Sequence, residues 1–445
     1  MDLFLIYLGL ALPTVSMLFI AYACKLHQTQ TIYFASILGL VLFNTFGTFN
    51  IVNDPVHLTE RFFYSYLILN TLFYLSFFFN LYFARRLNKV IPVTFYDRTS
   101  HNHMALYCLI FFSLTIVALY VSRHGLPPAF AFSLDGWSGY AAREEKWGSL
   151  AEGTWVYRLG FYTLPSIICV YFYILKKQSN TKLSKFLFYS SLAIAAPLAL
   201  AMAQKSPIVG LIITLFIASL LFSKKHEIIL KSVLLVLGLS FLISLLLWSY
   251  YPERALIGSS QNIIAPSMLE LVVPYINHRI LGSYIYAHAI MLNSIPLLHD
   301  FFYVDVLANP AGLFPNKPVA LSRLLDGWAG LSGKGNNASP AFSQLYAGFG
   351  MLGVAATPFI MHLAITTYQL LFKWLPSSPM VLSAYIAMAY QLMSFSFTGI
   401  YSSLGPELLI ILAILIAIEL VANMLKSPEK ILVNLKAMKT PTSDT

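Results

Sequence analysis

Residues 187–222 read LFYSSLAIAAPLALAMAQKSPIVGLIITLFIASLLF, two apolar runs separated by a single charged residue, Lys205. A bilayer core about 30 Å thick is crossed by a helix of about 20 apolar residues. Each half of the stretch approaches that length, and the polar turn between the halves is very short. The stretch therefore predicts two membrane-spanning helices joined by a tight turn, and an all-α polytopic membrane protein.

The composition of the whole chain agrees with this prediction. Of its 445 residues, 58% are hydrophobic and 10% are charged, whereas soluble domains are usually about 25% charged. One aqueous globule could not bury so much apolar surface, which excludes a cytosolic enzyme, a secreted disulfide scaffold and a disordered regulator. Cys24, Cys108 and Cys169 form no CxxC or Cys/His cluster, so neither a disulfide framework nor a zinc site is indicated.

Apolar runs of suitable length occur about eleven times along the chain. They cover approximately 3–23, 32–52, 63–84, 104–122, 159–175, 187–204, 206–222, 229–250, 345–371, 379–398 and 406–425. Short cytoplasmic loops carry an excess of Lys and Arg. The basic residues after the third, fifth and seventh runs therefore predict an N-terminus outside and a C-terminus inside. The net charge of +10 then describes a cytoplasmic face on anionic lipid and not a nucleic-acid-binding surface.

Two outer segments, 123–158 and 251–344, are longer than tight turns. Long loops in a compact protein are usually functional or disordered, and the aromatic residues, Gly and Pro of both segments argue against disorder. Within the second segment, 283–298 is apolar but too short to span, which predicts a helix on or dipping into the membrane. We expect one transmembrane domain, 1–445, with its working parts on the outer face.

Basic residues are rarer on the predicted outer face, and four of them lie beside spans or aromatic stretches. These are Arg143, Arg158, Lys205 and Arg279. A cation at that depth is costly unless an anion pairs with it, and guanidinium groups match phosphate oxygens with two hydrogen bonds. A phosphate-bearing lipid fits these residues. The alternative is that they extend to lipid headgroups or pair with glutamates such as Glu152.

No metal site and no cofactor are indicated. His278, His288 and His299 are too scattered in the large loop to argue metal ligation, and no nucleophile-elbow motif is present. His362 falls in the middle of a predicted span, where a polar group needs an internal partner. We expect His362 to be a packing or hydrogen-bonding residue.

Several motifs occur in a fixed order between about residues 120 and 360. The strongest is Asn337-Ala338-Ser339-Pro340, then Leu345-Tyr346 and Phe349-Gly350-x-x-Gly353. The weaker ones are Gly125-Leu126-Pro127 with Tyr140 and Arg143, Tyr157-Arg158, Gln204-Lys205-Ser206-Pro207, Arg279, and Leu313 to Pro318. Together they resemble the Wzy-type O-antigen polymerases, or oligosaccharide repeat-unit polymerases. Some members have a basic residue before the last span, where this chain has Tyr401-Ser402-Ser403.

The resemblance implies a GT-C-like architecture in the bacterial inner membrane and glycosyl transfer on the periplasmic face. The donor would be an undecaprenyl-diphosphate-linked oligosaccharide and the acceptor another lipid-linked repeat unit. The four outer cations would stabilise charge on the lipid diphosphate, and Glu152, Asp326 and His278 are alternative general bases. The residues expected to bind substrate are Asn337, Ser339, Gln344, Tyr346, Tyr140 and His278.

Two other functions stay open. O-antigen ligases share the architecture and a related donor, but they place a functional His ahead of the Gly-x-x-Gly element. This chain has Asn337, Ala338 and Ser339 there, and His278 lies far upstream. A transporter of lipid-linked sugars would show internal repeats and charges near the midplane of several spans, and the sequence has neither. The polymerase is the favoured function, with a Wzz-type chain-length regulator as a further partner.

Overall fold

The structure is a computed structural model of the chain. It describes residues 3–24, 31–41, 59–86, 103–127, 154–201, 205–223, 283–307, 321–328, 339–374 and 378–396, and isolated residues outside these ranges. Every regular element in the described ranges is helical. The all-α class predicted from the sequence is confirmed.

Twelve α-helices occur in the described part of the chain. They are α1 (Leu3–Ala23), α2 (Thr31–Gly39), α3 (Glu60–Arg86), α4 (His103–His124), α5 (Thr154–Arg158), α6 (Leu164–Ser179), α7 (Lys182–Leu200), α8 (Lys205–Leu221), α9 (Ser283–Ser294), α10 (Leu321–Trp328), α11 (Ala341–Trp374) and α12 (Pro379–Met393). A π-helical turn, Leu159–Thr163, joins α5 to α6, and 3-10 turns lie at Tyr303–Val306 and Ser394–Ser396.

Five of the described helices are long and apolar enough to cross a membrane. Their apolar lengths are Glu60–Phe79, Leu106–His124, Val156–Ser179, Lys182–Leu200 and Ala341–Phe372. Each coincides with one of the runs predicted from the sequence, and two shorter apolar helices, Ala11–Ala23 and Pro207–Leu221, coincide with two more. The eleven spans and the orientation stay predictions, since the runs 229–250 and 406–425 lie almost entirely outside the described residues.

Side-chain caps set where three of the helices begin. Thr59 Oγ1 accepts from Phe62 N before α3 at 3.2 Å, and Thr181 Oγ1 accepts from Ser184 N before α7 at 3.2 Å. Ser378 Oγ accepts from Val381 N before α12, also at 3.2 Å. Each cap satisfies an N–H group that has no partner within its own helix.

The first compact unit contains residues 1–93, 208–374 and 388–406, and α3 is central to its described part. One face of α3 is buried at intervals of three or four residues, at Phe62, Tyr66, Leu69, Phe73 and Phe77. The helices α1, α9 and α11 pack against α3. This aromatic face supplies the core on which the neighbouring helices are positioned.

His362 lies in α11 within this unit. Its ring centroid is 5.2 Å from that of Tyr33 and 6.4 Å from that of Phe73. The packing role expected for His362 is therefore confirmed, because its ring contacts aromatic side chains of two other helices.

The second compact unit contains residues 94–207, 375–387 and 407–445. In its described part, α4 packs against the π-helical turn and α6, and α6 pairs with α7. Ser113 Oγ donates a hydrogen bond to the Gly160 carbonyl at 2.9 Å, and a Cβ atom on Gly160 would lie 2.5 Å from Ile116 Cγ2. Only glycine allows the π-helical turn to approach α4 this closely.

Candidate functional site

The site residues predicted from the sequence fall into three groups. Six lie outside the described residues, namely Arg143, Glu152, Arg279, Asn337, Tyr140 and His278. Lys205 begins α8 and Asp326 lies in α10, with only their backbone positions described. The side chains of Arg158, Ser339, Gln344 and Tyr346 are described, Arg158 in the second unit and the other three in the first.

The second unit has an aromatic cluster where α4 ends, the π-helical turn begins and α7 ends. Tyr120, Phe161 and Ala201 are each fully buried there. The Tyr120 ring centroid lies 5.1 Å from that of Tyr157 and 5.2 Å from that of Phe161, both in edge-on geometry. We call this group, with His124, the tyrosine–histidine cluster.

Polar atoms of the tyrosine–histidine cluster face one another. His124 Nε2 and Tyr157 Oη are 3.3 Å apart and share a hydrogen bond. The Tyr120 hydroxyl is buried without a hydrogen-bond partner among the residues that the structure describes. The cluster thus combines buried apolar packing with the phenol of Tyr157 and the imidazole of His124.

Two arginines flank the tyrosine–histidine cluster. Arg123 lies in the last turn of α4 and Arg158 ends α5, and both side chains are exposed. Neither has an ion-pair partner in the described part of the chain. Lys205 begins α8 only four residues after Ala201 of the cluster. Exposed guanidinium groups without a carboxylate partner can bind phosphate oxygens.

The π-helical turn directly follows Arg158 and sets its position. Such turns interrupt the regular helical hydrogen-bond pattern and often occur at functional sites. The turn is held by the packing of Gly160 against Ile116 and by the buried Phe161 ring. The exposed Arg158 therefore directly precedes a well-packed segment of backbone, the π-helical turn.

In the first unit, α11 is interrupted at Gly350, where φ is 62° and ψ is −146°. Essentially only glycine adopts this conformation. Phe302 N donates to the Ala347 carbonyl at 3.0 Å, so a neighbouring segment pairs with a carbonyl next to the interruption. The Phe349-Gly350 motif read from the sequence therefore corresponds to a break near the start of a long apolar helix.

The residues just before this break are buried and engaged within the unit. Ser339 is 4% exposed, and Tyr346 is 3% exposed. Tyr346 Oη donates to the Ile295 carbonyl at 2.8 Å, and the Gln344 side chain packs against the backbone of Gly399. Tyr346 thus fastens the chain after α9 to the first turns of α11.

His288 of α9 is fully buried against the same stretch of α11. Its ring centroid lies 4.8 Å from that of Phe342 and 5.9 Å from that of Tyr346. His288 Nε2 is 2.9 Å from Ser65 Oγ. The Ser65 hydroxyl also donates to the Phe62 carbonyl at 3.0 Å.

Burial lowers the pKa of His288 to about 3, because desolvation disfavours the charged ring. The ring is therefore neutral at physiological pH. Most of the α9 side chains around it are buried as well, including Ile285, Met291 and Leu292. The helix expected at the membrane surface packs within the first unit, and its depth in the bilayer stays a prediction.

Several residues of these two regions have contacts that the sequence did not indicate. His124 follows Arg123, and Tyr157, already noted in the Tyr157-Arg158 motif, precedes Arg158, so adjacency to an arginine was a usable signal for both. Ser65 and His288 are 223 positions apart, and nothing in the sequence connects them. Arg61, exposed at the start of α3, interacts electrostatically with Tyr346, a proximity that only the packing of α3 on α11 reveals.

Among the described residues, no group of three or more His, Cys, Asp or Glu side chains could hold a metal ion. Comparison with family models, curated proteins and solved structures finds no match to this chain. The resemblance to the Wzy-type polymerases therefore rests on its motifs, and the function that it implies is a proposal.

Proposed function

We propose that the protein is an O-antigen or polysaccharide polymerase of the bacterial inner membrane. It joins undecaprenyl-diphosphate-linked oligosaccharide repeat units by glycosyl transfer on the periplasmic face. A sugar hydroxyl of one lipid-linked unit attacks the anomeric carbon of another, the bond from that carbon to the diphosphate oxygen breaks, and the lipid diphosphate leaves. The reaction needs a binding site for a diphosphate anion close to the membrane surface.

The observation that carries the proposal is the pair of exposed arginines at the tyrosine–histidine cluster. Arg123 lies in the last turn of α4 and Arg158 near the start of the apolar segment Val156–Ser179, and neither has an ion-pair partner in the described part of the chain. A charge at the end of a span is tolerated because it reaches the lipid interface. A lipid diphosphate places its anionic group at that depth, so the charges are complementary.

We assign the proposed catalytic roles according to this complementarity. Arg158 and Lys205, together with Arg143 and Arg279, stabilise the negative charge that develops on the leaving diphosphate. Arg123 supports the same charge from the end of α4. Glu152, Asp326 and His278 stay alternative general bases for the acceptor hydroxyl, whereas His288 is too deeply buried for that role.

The break in α11 supports the part of the proposal that concerns the large outer loop. Tyr346 and Gly350 belong to the motif that resembles the polymerases, and both have a definite structural task at this break. Asn337 and Ser339 immediately precede the helix that contains it. We propose that Asn337 and Gln344 bind the sugar, and that the buried Ser339 and Tyr346 hold the start of α11 in place for them. Tyr140 and His278 stay proposed substrate-binding residues.

Two alternatives remain for the same architecture. An O-antigen ligase would transfer the glycan to the lipid A core, and a transporter would move the lipid-linked sugar without chemistry. No observation on the described residues favours either one. Partners of the proposed polymerase are the lipid-linked oligosaccharide, membrane lipids and a Wzz-type chain-length regulator.

Deletion of the gene in its source bacterium tests the proposal. We expect the lipopolysaccharide to lose its long ladder on a gel and to retain a band of core plus one repeat unit. This pattern would mean that transport of the lipid-linked repeat unit across the membrane and its transfer to the lipid A core are intact, and that polymerisation is absent. Core alone would contradict the proposal, because an earlier step or ligation would be missing.

Complementation of the deletion tests the role of the arginine. Arg158→Ala should fail to restore the ladder at normal protein levels, because the diphosphate loses a charge-assisted partner. Arg86→Ala, at the end of α3 and on the predicted opposite face, is the matched control and should restore it. A full ladder with Arg158→Ala would overturn the assignment of this residue.

A further inference from the structure

The turn between α6 and α7 carries a concentration of positive charge. Lys176 and Lys177 lie in the last turn of α6, and Lys182 and Lys185 lie in the first turns of α7. The sequence contains no Asp or Glu between Glu152 and Glu227. We call these four residues the lysine turn. The helices on either side supply no carboxylate to neutralise it.

The backbone of the lysine turn is fixed at both ends. Asn180 adopts a left-handed conformation with φ of 47°, and its N–H donates to the Lys176 carbonyl at 3.0 Å. Thr181 caps the next helix, and the Ser184 hydroxyl donates back to the Thr181 carbonyl at 3.0 Å. The two lysine pairs are therefore held at a defined spacing.

Lys176 is also held by aromatic rings. Its Nζ donates to Tyr189 Oη at 3.1 Å and lies 4.5 Å from the Phe188 ring centroid and 4.4 Å from that of Tyr189. Rings attract a cation without cancelling its charge. The ammonium is thus positioned in advance and still available to an anion.

Exposed apolar side chains lie next to the lysines. Leu183 is 66% exposed and Phe186 is 67% exposed, and each immediately follows a lysine in the sequence. Both belong to a helix that is long and apolar enough to span a membrane. Cations and lipid-facing side chains therefore meet within one helical turn, which is the level of phospholipid headgroups.

We propose that the lysine turn is a binding site for an anionic phospholipid. The phosphate of the headgroup binds between Lys176 and Lys177 on one helix and Lys182 and Lys185 on the other, and the acyl chains lie along Leu183 and Phe186. The occupant is a lipid and not a free anion, because the charged and apolar surfaces are continuous. The site is independent of the proposed polymerase activity.

Native mass spectrometry of the full-length protein in detergent tests this site. The probes are phosphatidylglycerol, phosphatidylethanolamine and inorganic phosphate, each added alone. We expect binding of phosphatidylglycerol, and Lys182→Gln/Lys185→Gln should weaken that binding roughly 30-fold, since each lysine near an anionic headgroup contributes about fivefold. Tyr189→Phe, which removes only the hydroxyl that holds Lys176, should weaken it by a smaller factor.

The control is Lys430→Gln/Lys436→Gln, which removes the same charge from the tail. Retained phosphatidylglycerol binding in this control supports a defined site, and an equal loss would overturn the proposal in favour of a net-charge effect. Equal binding of phosphatidylethanolamine would contradict the anionic preference. Inorganic phosphate binding as tightly as the lipid would show that the site takes a free anion.

Discussion

At the scale of single residues, the basic side chains differ in burial, since two arginines are exposed and one histidine is part of the core. Arg123 and Arg158 are exposed beside the tyrosine–histidine cluster, where a guanidinium can meet a ligand. His288 is completely buried and neutral, and it links α9 to α3 through Ser65. A basic residue type alone therefore does not indicate a catalytic role. The burial and the hydrogen-bond partners of the side chain show whether it can meet a ligand or only packs in the core.

The first prediction concerns the Ser65–His288 hydrogen bond. Ser65→Ala should reduce the free energy of unfolding by about 1–3 kcal/mol, because the buried His288 Nε2 loses its hydrogen-bond partner. Thermal or denaturant unfolding in detergent measures the change. Ser179→Ala, which removes an exposed hydroxyl that donates to the Leu175 carbonyl, is the control and should change stability by less than about 0.5 kcal/mol. Equal changes in the free energy of unfolding for the two variants would contradict a stabilising role for the Ser65–His288 hydrogen bond.

At the scale of elements, breaks in regular helices occur next to the regions of interest. The π-helical turn follows Arg158, and α11 is interrupted at Gly350. Each irregularity has a glycine at a close approach. A Cβ atom on Gly160 would lie 2.5 Å from Ile116 Cγ2, and one on Gly350 would lie 3.1 Å from the Phe301 ring. Each glycine thus allows two segments of the chain to approach closely where a helix is irregular.

The second prediction concerns the break in α11. Gly350→Ala should cost about 1–3 kcal/mol of stability, because a Cβ atom is strained in this backbone conformation and would lie 3.1 Å from the Phe301 ring. Gly125→Ala is a matched comparison, since Gly125 also has positive φ but has open space around it. We expect a larger drop in the unfolding temperature for Gly350→Ala, and equal drops would contradict a role for Phe301.

At the scale of the whole molecule, the distribution of charge predicts how the chain crosses the membrane. The lysine turn, rich in positive charge, should face the cytoplasm, and the end of α4 should face the periplasm. In chain order α4 follows α3 and precedes the segment 123–158, and α6 and α7 meet at the lysine turn, so the orientation can be tested at these helix ends.

The third prediction tests this orientation with a matched pair of cysteines. Ser122→Cys and Ser179→Cys replace exposed serines near the ends of α4 and α6, each of which donates to a carbonyl of its own helix. With Cys24 and Cys108 changed to Ser, an impermeant maleimide should label Ser122→Cys in intact spheroplasts. Ser179→Cys should be labelled only after permeabilisation. The reverse labelling pattern would contradict the predicted orientation and place the lysine turn in the periplasm.

The sequence by itself determined the helical class and the positions of the long apolar spans. Hydrophobicity over about 20 residues is a local property, and it is sufficient to define a membrane helix. The sequence also located the Gly350 motif and the Arg158 position, because glycine and arginine have physical properties that few other residues share. It could not explain why Gly350 is needed.

Only the tertiary structure decided which of these residues come together. The contacts of Ser65 with His288 and of Phe301 with Gly350 join distant parts of the chain, and so does the pairing of His124 with Tyr157. Such contacts depend on how helices pack side by side, and apolar helices offer little sequence pattern to fix their neighbours. The physical reason is that spanning a bilayer constrains each helix separately, whereas packing constrains them jointly.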